Sequence, residues 1–168
     1  YNRVRIIREE TLGSDHPDIA SSFNNLASVS DAQGRYTEAE NWHHRALAIY
    51  QKAFGSEHPS TANSLSNLAI TLRFQNRYPE AENLHRRALA IRQKTLPAGH
   101  PDIANSLNNL AALLADTGRS GGAEPLLREA LAILEKTDDP GSLMLSSANL
   151  GSFLTQQNRL AEAVAPYD

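Results

Sequence analysis

Apolar residues return along this chain at helical spacing, and the blocks they form repeat. Phe23, Leu26 and Ala27 are followed by Leu65, Leu68, Ala69 and Leu72, then by Leu107, Leu110, Ala111 and Leu114. Positions i, i+3, i+4 and i+7 share one face of a helix, whereas a strand would alternate with a period of two. The blocks lie 42 residues apart. Asn25-Leu26-Ala27, Asn67-Leu68-Ala69 and Asn109-Leu110-Ala111 keep that step, as do His16-Pro17, His58-Pro59 and His100-Pro101. A fourth copy starts near Ser142 and carries Asn149-Leu150-Gly151 after a step of 40. A fixed period of this length predicts a solenoid, in which each unit buries its apolar face against its neighbours.

Each unit reads as two helices. Pro17, Pro59 and Pro101 suit a first helical turn, where the missing N–H costs nothing, and Asp18 and Asp102 suit the positive helix N-terminus. The first helix is expected to end before Gly34, Asn76, Gly118 and Asn158, residues that tolerate a left-handed cap. Second helices follow from about Tyr36, Tyr78, Ser120 and Leu160. Their small residues Ala39, Ala81, Ala123 and Ala163, then Ala46, Ala88 and Ala130, allow close helix approach. Gly121-Gly122 weakens the third of these helices, since an interior glycine costs about 0.5–1 kcal/mol relative to alanine. Glu40–His44, Glu82–Arg86 and Glu124–Arg128 stand at i, i+4 in the favourable order.

The expected organisation is one array. Residues 1–13 are the remnant of a preceding second helix, since Arg3 to Gly13 match the register of Arg45 to Gly55. Repeats follow at 16–54, 58–96 and 100–138, with a truncated fourth at 142–168. The half-helices at the two ends suggest head-to-tail stacking of one molecule on the next.

Bulk chemistry narrows the function. A net charge of −3 and a pI near 6.1 supply no field that would draw nucleic acid or an anionic membrane. No apolar run approaches the roughly 20 residues of a membrane span. Cysteine is absent, which excludes disulfides and thiolate sites and suits a reducing, cytoplasmic setting. No phosphate loop, serine elbow or His-Glu-x-x-His motif is present, so neither an enzyme nor a cofactor is expected. His43 and His85 could meet in neighbouring units, but no carboxylates accompany them at metal-ligand spacing. Arg35, Arg77, Arg119 and Arg159 recur in the turns. They read either as cations paired with a neighbouring glutamate or helix end, or as a ladder for an acidic partner.

The residues Leu65, Leu68, Ala69 and Leu72, then Ala81, His85 and Ala88, resemble the tetratricopeptide repeat. The stretches His-Pro-Asp-Ile-Ala, Asn-Asn-Leu-Ala and Gly-Arg-Tyr are similar to its 42-residue, kinesin-light-chain-like form. That resemblance implies an all-α, right-handed superhelical solenoid of antiparallel helix pairs, with first helices lining a concave face. Ser30 departs from the pattern where other copies carry leucine, and His43 and His85 where an aromatic is usual.

On that geometry the concave wall would carry Asn24, Asn25, Asn63, Ser66, Asn67, Ile70, Arg73, Phe74, Asn105, Asn108, Asn109 and Asn149. Asparagine is a poor helix-interior residue, yet an amide can donate and accept at once. In related peptide-binding arrays the equivalent asparagines hold a ligand backbone. Only Arg73 supplies positive charge on this face, so capture of a peptide C-terminus is not expected. Ile70, Arg73 and Phe74 suggest a pocket for one apolar and one acidic side chain. The other reading is that the asparagines only bridge neighbouring helices. The expected function is a non-catalytic protein-interaction scaffold holding an extended peptide. The alternative is a structural spacer or self-assembling module with no ligand.

Overall fold

The structure, a computed structural model, describes residues 15–137 and 139–159. These residues form helices and turns only: α1 (Pro17–Ala32), α2 (Tyr36–Phe54), α3 (Pro59–Phe74), α4 (Tyr78–Thr95), α5 (Pro101–Asp116), α6 (Ser120–Leu134) and α7 (Pro140–Gln156). The fold divides between Thr95 and Leu96 into two compact units. In the first, α1 pairs with α2 and α3 with α4, while α3 also packs on α2 and touches α1. In the second, α5 pairs with α6, and α7 packs on α6 and touches α5. The expected remnant at 1–13, the second helix from Leu160 and the contact between chain ends lie outside the described residues.

Helix starts are set by a device that spacing alone does not reveal. His16, His58 and His100 are N-caps, each with an extended backbone and proline next in the chain. Their Nδ1 atoms accept the backbone N–H of Asp18, Ser60 and Asp102 at 3.2, 3.1 and 3.1 Å. Each therefore satisfies one of the orphan donors of the first turn, the task usually given to Ser, Thr, Asp or Asn. In α7 an aspartate takes over. Asp139 Oδ1 accepts from the N–H of Gly141 and Ser142 at 3.1 and 3.2 Å.

The first helices end as expected. Gly34, Asn76, Gly118 and Asn158 adopt φ of 72°, 61°, 72° and 57°. The N–H after each reaches back five residues, as in Arg35 to Ser30 at 2.8 Å and Arg77 to Leu72 at 2.9 Å. This is a Schellman turn, which satisfies the last carbonyls and aims the chain straight into the second helix. Gly121 and Gly122 do not break α6, which starts at Ser120 and runs through both. A Cβ on Gly122 would meet Leu114 Cδ1 at 3.3 Å, so close approach of α6 to α5 accounts for that glycine.

The core lies between paired helices. Ile19, Phe23 and Leu26 of α1 meet Ala46, Ile49 and Tyr50 of α2. Ala62 and Leu65 meet Ala88 and Ile91 in the next hairpin. Ala39, Ala81 and Ala123 are fully buried, as their small size requires where backbones come close. Each fully buried Leu or Ile contributes about 1.5–3 kcal/mol, which far exceeds any surface pair described below.

Candidate interaction surface

Much of the polar chemistry on the first helices is used internally. Asn24 Nδ2 donates to Ser64 Oγ of α3 at 3.2 Å, and its Oδ1 accepts from His43 Nδ1 of α2 at 3.0 Å. Asn108 repeats the first of these bonds in the other unit, exchanging two 3.3 Å hydrogen bonds with Ser146 of α7. Asn24 and Asn108 thus tie one first helix to the next. Asn63 Oδ1 accepts from Arg92 of α4 at 2.5 Å, where the preceding hairpin pairs Ser21 with the Tyr50 hydroxyl at 2.8 Å.

These positions correct the expected wall. Asn108 is 8% exposed and Ser66 only 3% exposed, so neither stands on an open surface. A helical wheel puts both on the outer face, but in the second unit Ser146 of α7 closes over Asn108. Asn25 and Asn105 are exposed, and Asn67, Asn109 and Asn149 are half-buried. Asn25 and Asn67 have no intramolecular side-chain partner among the described residues. Arg73 is half-buried, and Phe74 stacks on Tyr36 with ring centroids 5.4 Å apart. Ile70 lies elsewhere, in a cavity of about 180 Å³ bounded by Ser28 and Asp31 of α1, His43 of α2, and Asn67 of α3.

Electrostatics in that cavity are set by burial. His43 is 1% exposed, and loss of water, followed by the charge of His44, pushes its imidazole down to about 4. Burial pushes the Asp31 carboxyl above its ordinary range, against a hydrogen bond from Thr71 that draws it down. Thr71 Oγ1 donates to Asp31 at 2.9 and 3.1 Å across the α1–α3 boundary. His85 occupies the register of His43 one repeat on. Neither of its ring nitrogens has a partner among the described residues, and burial with the charges of Arg73 and Arg92 pushes it down to about 4.

The turn arginines clamp successive hairpins. Arg77 Nη1 donates to Glu40 of α2 at 2.7 Å, and Arg159 Nη1 donates to Glu124 of α6 at 2.5 Å. Arg77 also grips Glu80, and Arg35 pairs with Glu38. Burial raises the Glu40 carboxyl, but the bonds from Gln75 and Arg77 outweigh it and hold the group below the ordinary range. Arg35, Arg77 and Arg159 are therefore paired with glutamates, the first of the two readings open from sequence.

A hairpin of two helices, closed by a left-handed turn and tied to the next hairpin by side-chain bonds at fixed register, defines an all-α helical repeat. A family model described as tetratricopeptide repeat matches residues 18–94 and 85–136. The chain belongs to the tetratricopeptide repeat family, in its kinesin-light-chain-like form. A Podosopora anserina protein of kinesin light chain type, with nearly identical TPR-like repeats, is 31% identical. It superposes with a TM-score of 0.75 over 96% of this chain and 77% of its own. BtubC (BKLC) from P. vanneervenii is 25% identical, with a TM-score of 0.79 over 94% of this chain and 64% of its own. The apo form of RapI is 20% identical, with a TM-score of 0.78 over 96% of this chain and 57% of its own, a likeness of fold. No curated protein matches the sequence.

Tetratricopeptide repeats are in general protein–protein interaction modules, and such scaffolds are generally non-enzymatic. Among the described residues no helix is long and apolar enough to cross a membrane. No group of three or more His, Asp or Glu among them is placed to hold a metal ion.

Proposed function

We propose that this chain is a non-catalytic scaffold that holds an extended segment of a protein partner along the wall formed by α1 and α3. The observation that carries the reading is the unengaged state of the Asn25 and Asn67 amides, beside neighbours whose amides are engaged. An asparagine in a helix interior costs several tenths of a kcal/mol against alanine. Asn24, Asn63 and Asn108 offset that cost through bonds to other helices. Asn25 and Asn67 have no such internal return, and an amide suits a peptide backbone because it donates and accepts together. The rival role as a self-stacking spacer would place its contact on residues outside those described.

The test is a peptide array of extended 12-residue sequences, probed with the chain and with a variant carrying Asn25→Ala and Asn67→Ala. Binding should fall at least tenfold while thermal stability stays level or rises, because alanine is the better helix former. Unchanged binding, or an array with no ligand at all, would refute the groove and favour the spacer.

A further inference from the structure

The cavity between α1, α2 and α3 has an unusual polarity: apart from those of the Asn67 amide, its polar hydrogens are already committed. Ser28 Oγ donates to the Asn24 carbonyl at 3.1 Å. Thr71 Oγ1 donates to Asp31. Asn24 Oδ1 can only accept, so the hydrogen of the neutral His43 ring sits on Nδ1 and points there, at 3.0 Å. What remains facing the space are lone pairs: those of Ser28 Oγ, the Asp31 carboxylate and His43 Nε2. Asn67 can turn its Oδ1 inward as well, since nothing else holds its amide.

Two of these acceptors confront one another. His43 Nε2 lies 3.5 Å from Asp31 Oδ2, beyond ordinary hydrogen-bond length and with no proton fixed between them. Asp31 has no Lys or Arg within ion-pair distance among the described residues. The charge of Arg73, one repeat on at the register of Asp31, bears on His85. Ile70 supplies one apolar wall. At about 180 Å³ the cavity is smaller than the roughly 300–1,000 Å³ of a small-molecule site. It suits the end of one long side chain.

We infer that this cavity is a subsite for a cationic side chain, lysine or arginine, whose N–H groups bridge Asp31 and His43 while its methylene stem lies on Ile70. The proposal rests on the groove reading above only for the source of the cation, a residue of the bound partner segment. The next repeat supplies an internal contrast. There the equivalents of Asp31 and Asn24 are Arg73 and Ser66, a basic residue and a shorter one, so the acidic anchor of the first repeat is not repeated.

The experiment uses small probes. n-Butylammonium and n-propylguanidinium are titrated into the whole chain, with butyramide and propionate as controls. The imidazole nitrogen signals of His43 and the side-chain amide of Asn67 are followed by NMR. Both cations should give saturating shifts, compete with each other, and bind at least tenfold more tightly than butyramide. Asp31→Asn should weaken them at least tenfold. Asp31→Arg should abolish them, and it carries a residue the second repeat already accommodates at this register. An unchanged backbone spectrum certifies both variants as folded.

A silent titration would mean that the cavity holds water only. That result, an equal response to butyramide, or an unaltered Asp31→Asn would each overturn the proposal. If the cations bind while the peptide array finds no ligand, the subsite stands and the groove falls. If the array finds ligands without preference for Lys or Arg and the titration is silent, the subsite falls and the groove stands.

Discussion

His85 is the clearest energetic defect in the first unit, and replacing it tests how the repeats are built. The side chain is 1% exposed, and both ring nitrogens lack partners among the described residues. Its counterpart His43 is held by Asn24, but the second repeat carries Ser66 there, one bond too short to serve. The third repeat places Leu127 at the same register, 4% exposed. A buried, unpaired polar group costs about 1–3 kcal/mol. His85→Leu removes that cost with a side chain of similar size that the fold already uses. It should stabilise the unit by about 2 kcal/mol at pH 7, raising Tm by about 4–8 °C.

Acid enlarges the effect, and the sign follows from linkage. The folded imidazole is pushed down to about 4, while in the unfolded chain it titrates near its ordinary value of about 6.5. The unfolded chain therefore takes up the proton first. Stability is complete above pH 6.5 and declines as pH falls towards 4. At pH 5 those two values cost the parent chain a further ~2 kcal/mol. His43 adds a loss of the same sign but is present in both proteins and cancels. Trp42, the single tryptophan, lies in α2 and reports on this unit. Urea unfolding followed by its fluorescence should show a gap of about 2 kcal/mol at pH 7 and roughly twice that at pH 5. A variant no more stable than the parent at pH 7, or a gap that fails to widen in acid, would refute the account.

Two further stability predictions concern the second unit, each read by calorimetry. Gly121→Ala should stabilise by about 0.5 kcal/mol, because the position is helical and a Cβ there meets nothing within 4 Å. Gly122→Ala should fall below it, because its Cβ presses on Leu114 at 3.3 Å; equal gains at the two sites would contradict that contact. His100→Ala should destabilise by about 1 kcal/mol through loss of the bond to the Asp102 N–H, and an unchanged Tm would show that the histidine does not cap α5.

The hairpins were legible because two local signals agreed. Apolar spacing located the helices, and Gly34, Asn76, Gly118 and Asn158 located the turns, all with positive φ. The inner wall was less legible, because a wheel gives an angle and not the height of the neighbouring helix. Asn24 and Asn25 differ by one residue, yet the first is locked between α2 and α3 and the second is exposed. Asn63 is exposed, but its bond to α4 was not legible, for another reason. Its partner Arg92 stands where the first repeat has Tyr50, so the pairing changes chemistry from copy to copy and leaves no repeated motif. The turn arginines did leave one, since Arg77 reaches Glu40 and Arg159 reaches Glu124 at nearly the same separation. The histidine caps were visible as a spacing but not as a function, because histidine is rarely the residue that caps.

Among the positions that vary between copies are three that meet in the first repeat. Asn24, Asp31 and His43 in the first repeat become Ser66, Arg73 and His85 in the second, and Asn108, Ala115 and Leu127 in the third. The backbone beneath them does not change, because proline, capping histidine, buried alanine and left-handed turn recur in each copy. The set therefore changes from a hydrogen-bonded acidic group, to a basic residue beside a buried histidine without partners among the described residues, to one that keeps the asparagine but replaces the other two with Ala115 and Leu127. A single compact core would tolerate an unpaired His85 poorly. A repeat can carry it because much of its stability comes from the interfaces with its neighbours, through residues such as Leu65, Leu68 and Ala88 that are unaffected by the choice. That separation lets the chemistry of the wall change three residues at a time without rebuilding the scaffold. On the proposed subsite, the partner's selectivity would rest on the Asp31–His43 pair rather than on the asparagines, which offer every peptide backbone the same bonds.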